Sequence, residues 1–221
     1  MRYCIQSDEE AELFGPARGC AQFEQRRLRF DCPGEASRPS DDELVYVLAG
    51  SGRGSLEGES VELHAGTAIY IAAGTKWQVE SADGLEMLSV RVSDALTAET
   101  THAVVAVDEV EADEATAGRM FRLLAPCASA TQFVGYIPPG RAPDHFHRYD
   151  EVVYVLQGTG ALHIDGESAP LRPGTCIHLP ATLVHSLENT GPGEMHVLGV
   201  FRPAGSPAEA YYPDGTAASE Y

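Results

Sequence analysis

Asp42-Glu43-Leu44-Val45-Tyr46-Val47-Leu48-Ala49-Gly50-Ser51-Gly52 returns further along the chain as Asp150-Glu151-Val152-Val153-Tyr154-Val155-Leu156-Gln157-Gly158-Thr159-Gly160, at an offset of 108 residues (151 − 43). The same offset sets Gly58 on Gly166, Leu63 on Leu171 and Gly66-Thr67 on Gly174-Thr175, with no insertion or deletion. Chance does not hold register that long, so the chain is two copies of one unit. Each copy reads as strands. The β-branched and aromatic runs Val45-Tyr46-Val47-Leu48 and Val153-Tyr154-Val155-Leu156 are closed by Gly-x-Gly turns. Leu162-His163-Ile164 ahead of Asp165-Gly166 predicts a strand entering a tight hairpin. Ala68-Ile69-Tyr70-Ile71 and Cys176-Ile177-His178-Leu179 are further strands, each announced by Gly-Thr, and Met195 to Phe201 closes the set. A helical reading would leave Gly and Pro in helix interiors at roughly 1–3 kcal/mol each. The expectation is an all-β chain joined near residue 100, with an N-terminal unit over 1–100 and a C-terminal unit over 101–221.

The 221 residues suffice for two small domains with cores of their own, and the 22 Gly and 14 Pro fit many short strands with frequent turns. A formal net charge of −18 argues against nucleic acid, whose phosphates require clustered Lys and Arg. Cys4, Cys20, Cys32, Cys127 and Cys176 are scattered and odd in number, which fits reduced thiols better than a disulfide framework. The opening residues turn acidic at once, and no stretch approaches the length of a membrane span. A cytoplasmic protein with no membrane partner is expected. The acidic run Asp108 to Glu114 reads as a solvated connection rather than a binding feature. The stretch from Pro203 to Tyr221, with Tyr211, Tyr212 and Tyr221, is either a frayed tail or an arm laid across a neighbouring surface.

The chemistry concentrates in Asp144-His145-Phe146-His147-Arg148-Tyr149-Asp150-Glu151. Alternate side chains of an extended chain share a face, so His145, His147 and Glu151 agree in parity. His185, in Pro180-Ala181-Thr182-Leu183-Val184-His185, enters from another strand as a fourth ligand. Three neutral imidazoles and one carboxylate suit one borderline divalent transition ion, Fe, Mn, Ni, Co or Zn. Around it, Gln132, Val134 and Tyr136 share one parity on a neighbouring strand, and His163, His178 and His196 are the remaining histidines after residue 102. Tyr136 and His196 are singled out as candidate catalytic residues beside Glu151.

These motifs resemble the cupin superfamily. H-x-H, three residues, Glu, six residues and Gly is matched from His145 through Glu151 to Gly158, with Gly140 one residue closer to His145 than usual. The second motif, P-x-G-x-x-H-x-x-x-N, is matched by Pro180, His185 and Asn189, with Thr182 where Gly is usual. The resemblance covers nearly the whole chain as a bicupin and implies two tandem double-stranded β-helix (jelly-roll) barrels. It points first to a metal-dependent dioxygenase of quercetinase type acting on a small molecule, an oxidoreductase in which Glu151 both ligates and serves as general base. An oxygen-independent isomerase or lyase, or a non-catalytic small-molecule binder, stands beside it, because fold analogy alone does not choose a reaction. Dimerisation through outer strands is common in such proteins, and the oligomeric state stays open between monomer and homodimer.

The offset also carries the ligands into the first copy. There His145 becomes Ser37, His147 becomes Pro39 and His185 becomes Trp77, while Glu151 keeps its counterpart in Glu43. That set cannot hold a transition ion tightly, so the first barrel is expected to be metal-free. Trp77 is read as a plug where the ion would sit, with the wall of an effector pocket as the alternative. Glu43, once buried, needs a partner or a proton.

Overall fold

Short apolar runs punctuated by glycine fold into antiparallel strands in a computed structural model that describes residues 1–6, 11–93, 102–125 and 127–218. In chain order these are β1 (Cys4–Gln6), β2 (Ala11–Phe14), β3 (Phe23–Phe30), β4 (Asp42–Leu56), β5 (Glu59–His64), β6 (Thr67–Ile71), β7 (Trp77–Val92), β8 (His102–Ala106) and β9 (Asp113–Glu114). They continue as β10 (Met120–Leu123), β11 (Thr131–Ile137), β12 (Gly140–Arg141), β13 (Asp150–Gln157), β14 (Gly160–Ile164), β15 (Glu167–Leu171), β16 (Thr175–Leu179), β17 (Ser186–Asn189) and β18 (Met195–Arg202). Two compact units emerge. One comprises Met1–Asp8, Glu111–Leu123 and Ala130–Tyr221, and the other Glu9–Val110 and Leu124–Ser129. The join expected near residue 100 lies outside the described residues.

The second of these units is a sheet in the order β2-β3-β7-β4-β6-β8, with β5 paired to β4. Its core gathers Val45, Val47, Leu56, Ile69, Val79 and Met87 around Trp77, which is buried. Trp77 therefore packs as core, like most large buried aromatics. The sequence Gly50-Ser51-Gly52 was expected to close a strand. Instead β4 runs through it with shifts of register against β7. Gly50 has φ +75°, and a Cβ there would lie 2.1 Å from the carbonyl oxygen of Gly84. Only glycine permits that crossing, which bends the long strand without ending it. Nearby, the Asp42 carboxylate accepts from Ser129 Oγ (2.9 Å) and from the backbone N–H of Ala73 (3.1 Å).

The other unit sets a sheet β1-β16-β13-β18-β11-β10-β9 and a sheet β12-β17-β14-β15 around one apolar core, the layout of a jelly roll. Here Gly158-Thr159-Gly160 does separate two strands, β13 and β14. Asp165 (φ +52°) and Gly166 (φ +79°) form the predicted tight hairpin between β14 and β15. Ile137, Val153, Val155, Leu179, Met195 and Val197 lie in the core, so odd-numbered residues of β11, β13 and β18 face inward. Glu151 shares that parity.

The repeat holds in three dimensions. Ser37 pairs with Trp77 in an isolated antiparallel bridge, and their counterparts His145 and His185 do the same. Gly74 N–H donates to the Pro39 carbonyl at 2.7 Å, and Thr182 N–H donates to the His147 carbonyl at the same distance. Gly74 takes φ +82° and Thr182 φ +66°, so the loop keeps its left-handed residue although threonine has replaced glycine. A branched side chain there costs roughly 1–2 kcal/mol.

Candidate metal centre

The backbone bridge between His145 and His185 (N–H to carbonyl 3.0 Å and 2.8 Å) sets two imidazoles side by side, and His147 follows two residues along the same extended segment. Ligating nitrogens of the three rings lie within 4.8 Å of one another. Each ring is oriented from behind by a main-chain carbonyl: His145 Nδ1 to Pro143 O (2.9 Å), His147 Nδ1 to Glu209 O (2.7 Å) and His185 Nδ1 to Leu183 O (2.9 Å). A carbonyl only accepts, so each Nδ1 carries the proton and each Nε2 presents a free lone pair. Burial holds all three rings below the ordinary histidine range, His147 at about 4, with the neighbouring imidazoles adding to the effect at His147 and His185. They are neutral at pH 7. Three converging neutral donors of fixed tautomer are what a borderline divalent ion requires, so the residues fit the metal expected from the sequence.

Glu151 enters the same cavity from β13; among the described residues the close cluster of ligand atoms comprises the three histidines without it. Burial pushes its carboxyl up to about 8. Its counterpart Glu43 explains why. Glu43 accepts a hydrogen bond from Ser89 Oγ and faces Arg91 Nε at 3.8 Å. In register, Val45 pairs with Ser89 and Glu43 with Arg91, whereas Val153 pairs with Gly199 and Glu151 with Phe201. A donor and a cation in one unit are thus a glycine and a phenyl ring in the other. A Cβ on Gly199 would lie 2.2 Å from the Phe133 ring and 3.0 Å from Glu151 Oε1, so the bare backbone makes room for both. Glu43 has the partner that the sequence demanded. For Glu151, no donor or cation to its carboxylate is found among the described residues, and it must take a proton or an ion.

The cavity, of about 80 Å³, is walled by Phe133, Ile137, Val153, Leu179 and Leu187, with Arg119 and Tyr149 adding polar atoms. Tyr149 stacks on His147 (4.7 Å between centroids, 9°) and on Phe201 (3.9 Å, 17°). The C-terminal stretch proves to be an arm over this site. Tyr211 bridges Phe146 through two backbone hydrogen bonds (2.8 Å and 3.0 Å), and its ring stacks on that of Phe146. Arg148 lies over the Tyr211 ring at 4.0 Å, and Pro207 and Ala210 complete the cavity wall. Tyr221 lies outside the described residues.

Of the further candidates, Tyr136 contributes to the cavity wall, although the inward parity on β11 belongs to Phe133, Gly135 and Ile137. His196 pairs with Tyr136 across the sheet, edge to ring at 4.8 Å, and contacts Glu194 at 3.6 Å; it is not part of the wall. His163 is turned to Glu188 at 2.8 Å, on the face opposite Leu162 and Ile164. His178 is buried on β16, away from the trio. Sequence reasoning missed three participants. Tyr149 had a signal, since it continues the alternation of His145, His147 and Glu151. Arg119 had none, because it sits on an irregular connection. The Glu209 carbonyl is main chain and carries no residue code.

A family model described as Cupin domain matches residues 33–91 and 133–201. Over 101 residues the chain is 32% identical to the polyketide synthase CurC of Streptomyces cyaneus, a stretch covering 43% of this chain and 66% of that one, just under two thirds of the relative's length. Over 47 residues it is 43% identical to quercetin 2,3-dioxygenase of Bacillus subtilis (strain 168), covering 21% of this chain and 14% of the dioxygenase. The structure of oxalate decarboxylase from Bacillus subtilis superposes with a TM-score of 0.72 at 13% identity, covering 92% of this chain and 77% of the decarboxylase. At that identity the likeness is one of fold.

Proposed function

The chain belongs to the cupin family, and on that premise we propose that it is a metal-dependent enzyme that binds and deprotonates a small hydroxylated organic molecule. One observation carries the reading: three histidines of fixed tautomer and a buried, partnerless carboxylate open into one cavity. His145, His147 and His185 would hold a divalent transition ion, with Glu151 as fourth ligand. When bound, the ion supplies Lewis acidity and open positions for a substrate oxygen.

The remaining work falls to the chain. Glu151, a buried carboxylate with no donor beside it among the described residues, would accept the substrate hydroxyl proton. Phe133, Ile137 and Val153 keep water from that proton's path. Tyr136 would border the bound molecule, and His196 would act only by positioning the Tyr136 ring. The first reading of the reaction is oxidative cleavage of quercetinase type, supported by the local likeness to quercetin 2,3-dioxygenase. The same proton acceptor beside a Lewis acid would also serve a second reading, an oxygen-independent isomerase or lyase acting on a small enolisable substrate.

Oxygen uptake by metal-reconstituted protein supplied with a flavonol separates them. The first reading expects consumption that a Glu151→Gln variant loses by two to four orders of magnitude, roughly the contribution of general base catalysis. Turnover of an enolisable substrate that proceeds equally under nitrogen would replace it with the second. Ligand binding without turnover in either atmosphere would sink both.

A further inference from the structure

Among the residues that line the cavity, Arg119 brings a cation that metal binding does not use. It leads from the turn at Thr116–Gly118 into β10, and its side chain is half-buried. One guanidinium nitrogen, Nη2, donates to the Leu187 carbonyl at 2.9 Å. A guanidinium has five N–H donors, and that contact employs one of its nitrogens. Among the described residues no carboxylate lies within ion-pair distance of it. Glu151 lines the same cavity. Arg119 is close enough to all three imidazoles to disfavour their protonation.

Its position adds a second observation. Arg119 lines both the histidine cavity and an adjoining cavity of about 240 Å³, which also share Thr116, His145 and Ala210. A molecule held at Arg119 therefore sits between the imidazoles and a larger space. The charges agree with this placement. With a divalent ion and an ionised Glu151, the site keeps a net positive charge of which Arg119 is one unit. A half-buried cation with no anion beside it among the described residues is stabilised by a bound one.

We propose that Arg119 is the anion anchor of this site and that the substrate is a small organic carboxylate, its carboxylate paired with the guanidinium and its hydroxyl, or the enolisable carbonyl of a keto acid, turned to Glu151 and the histidines. This deepens the enzymatic reading above and rests on it for the reaction, though not for binding. Planar, forked pairing of carboxylate with arginine is strong and directional.

The test uses the full-length protein, metal-free and metal-loaded, titrated by ligand-observed NMR with pyruvate, a small enolisable carboxylate, and with its neutral amide, pyruvamide. Saturable pyruvate binding is expected in both forms, with pyruvamide and the Arg119→Met variant each weaker by roughly 10- to 100-fold. Arg119→Lys keeps the charge but not the fork and should fall between. It also serves as the variant of record should Arg119→Met fail to fold. Equal binding of acid and amide, pyruvate binding unchanged in both variants, or no saturable pyruvate binding by the wild type would overturn the proposal. Metal content is measured separately. Arginine-dependent pyruvate binding without metal uptake would leave this proposal standing and remove the metal reading; metal uptake without pyruvate binding would do the reverse.

Discussion

Glu43 and Glu151 occupy one position in two copies of a unit, and their difference lies in what answers the charge. Ser89 and Arg91 answer Glu43; Gly199 and Phe201 leave Glu151 to a proton or an ion. The consequence is a pH dependence with a definite sign. In the metal-free protein the Glu151 carboxyl is raised from 4.5 to about 8, so between those values the folded state holds a proton that the unfolded chain has released. Its contribution to stability is full below the lower value and is lost as pH rises to the upper one. An incoming cation must expel that proton. Apparent metal affinity should rise by about tenfold per pH unit up to roughly pH 8 and then level off. His147 titrates at about 4 and adds nothing to the slope near neutrality. Competitive metal titrations across pH 6 to 9 check this, and Glu151→Gln should flatten the profile. At this scale the ligands were legible, because spacing along one extended segment is written in the chain. What surrounds Glu151 was not, since it comes from a strand some fifty residues away in sequence.

Among the elements, the C-terminal arm bears most directly on the site. Its Glu209 carbonyl orients His147, and its bridge to Phe146 fixes the backbone between the two histidines of the H-x-H motif. Ending the chain after Gly205 should weaken metal binding by roughly 10- to 100-fold, the usual effect of losing the group behind a ligand. Circular dichroism should stay strand-rich, because among the described residues no strand of either sheet lies beyond Arg202. Unchanged affinity in the shortened protein would show that the arm merely rests there. Composition could not choose between tail and arm, since Ala, Gly, Pro and Ser suit both. Strand β11 posed a similar ambiguity. Gln132, Val134 and Tyr136 alternate with Phe133, Gly135 and Ile137, and each set is apolar enough to line a core. Packing decides for the second set, which is why Tyr136 meets His196 on the other parity.

For the whole molecule, order along the chain and membership of a unit differ. Cys4, Ile5 and Gln6 pair with Ile177, Cys176 and Thr175, so the first strand closes the edge of β16 in the unit that carries the histidines. Residues 124–129, conversely, belong with the unit of Glu43. Deleting residues 1–6 should strip that edge and destabilise its unit by roughly 1–3 kcal/mol, a few net backbone hydrogen bonds. The uncovered edge should also promote self-association, visible by size-exclusion chromatography, while metal stoichiometry stays at that of the intact protein. The repeat made the doubling of the fold plain, but a strand of three residues leaves no periodicity to read. A lineage inheriting such a chain is constrained in how it can recombine. A genetic crossover at the midpoint would deliver a metal-site half without its own edge strand, less stable and stickier than the half it came from, so exchange of the halves as interchangeable cassettes carries a penalty.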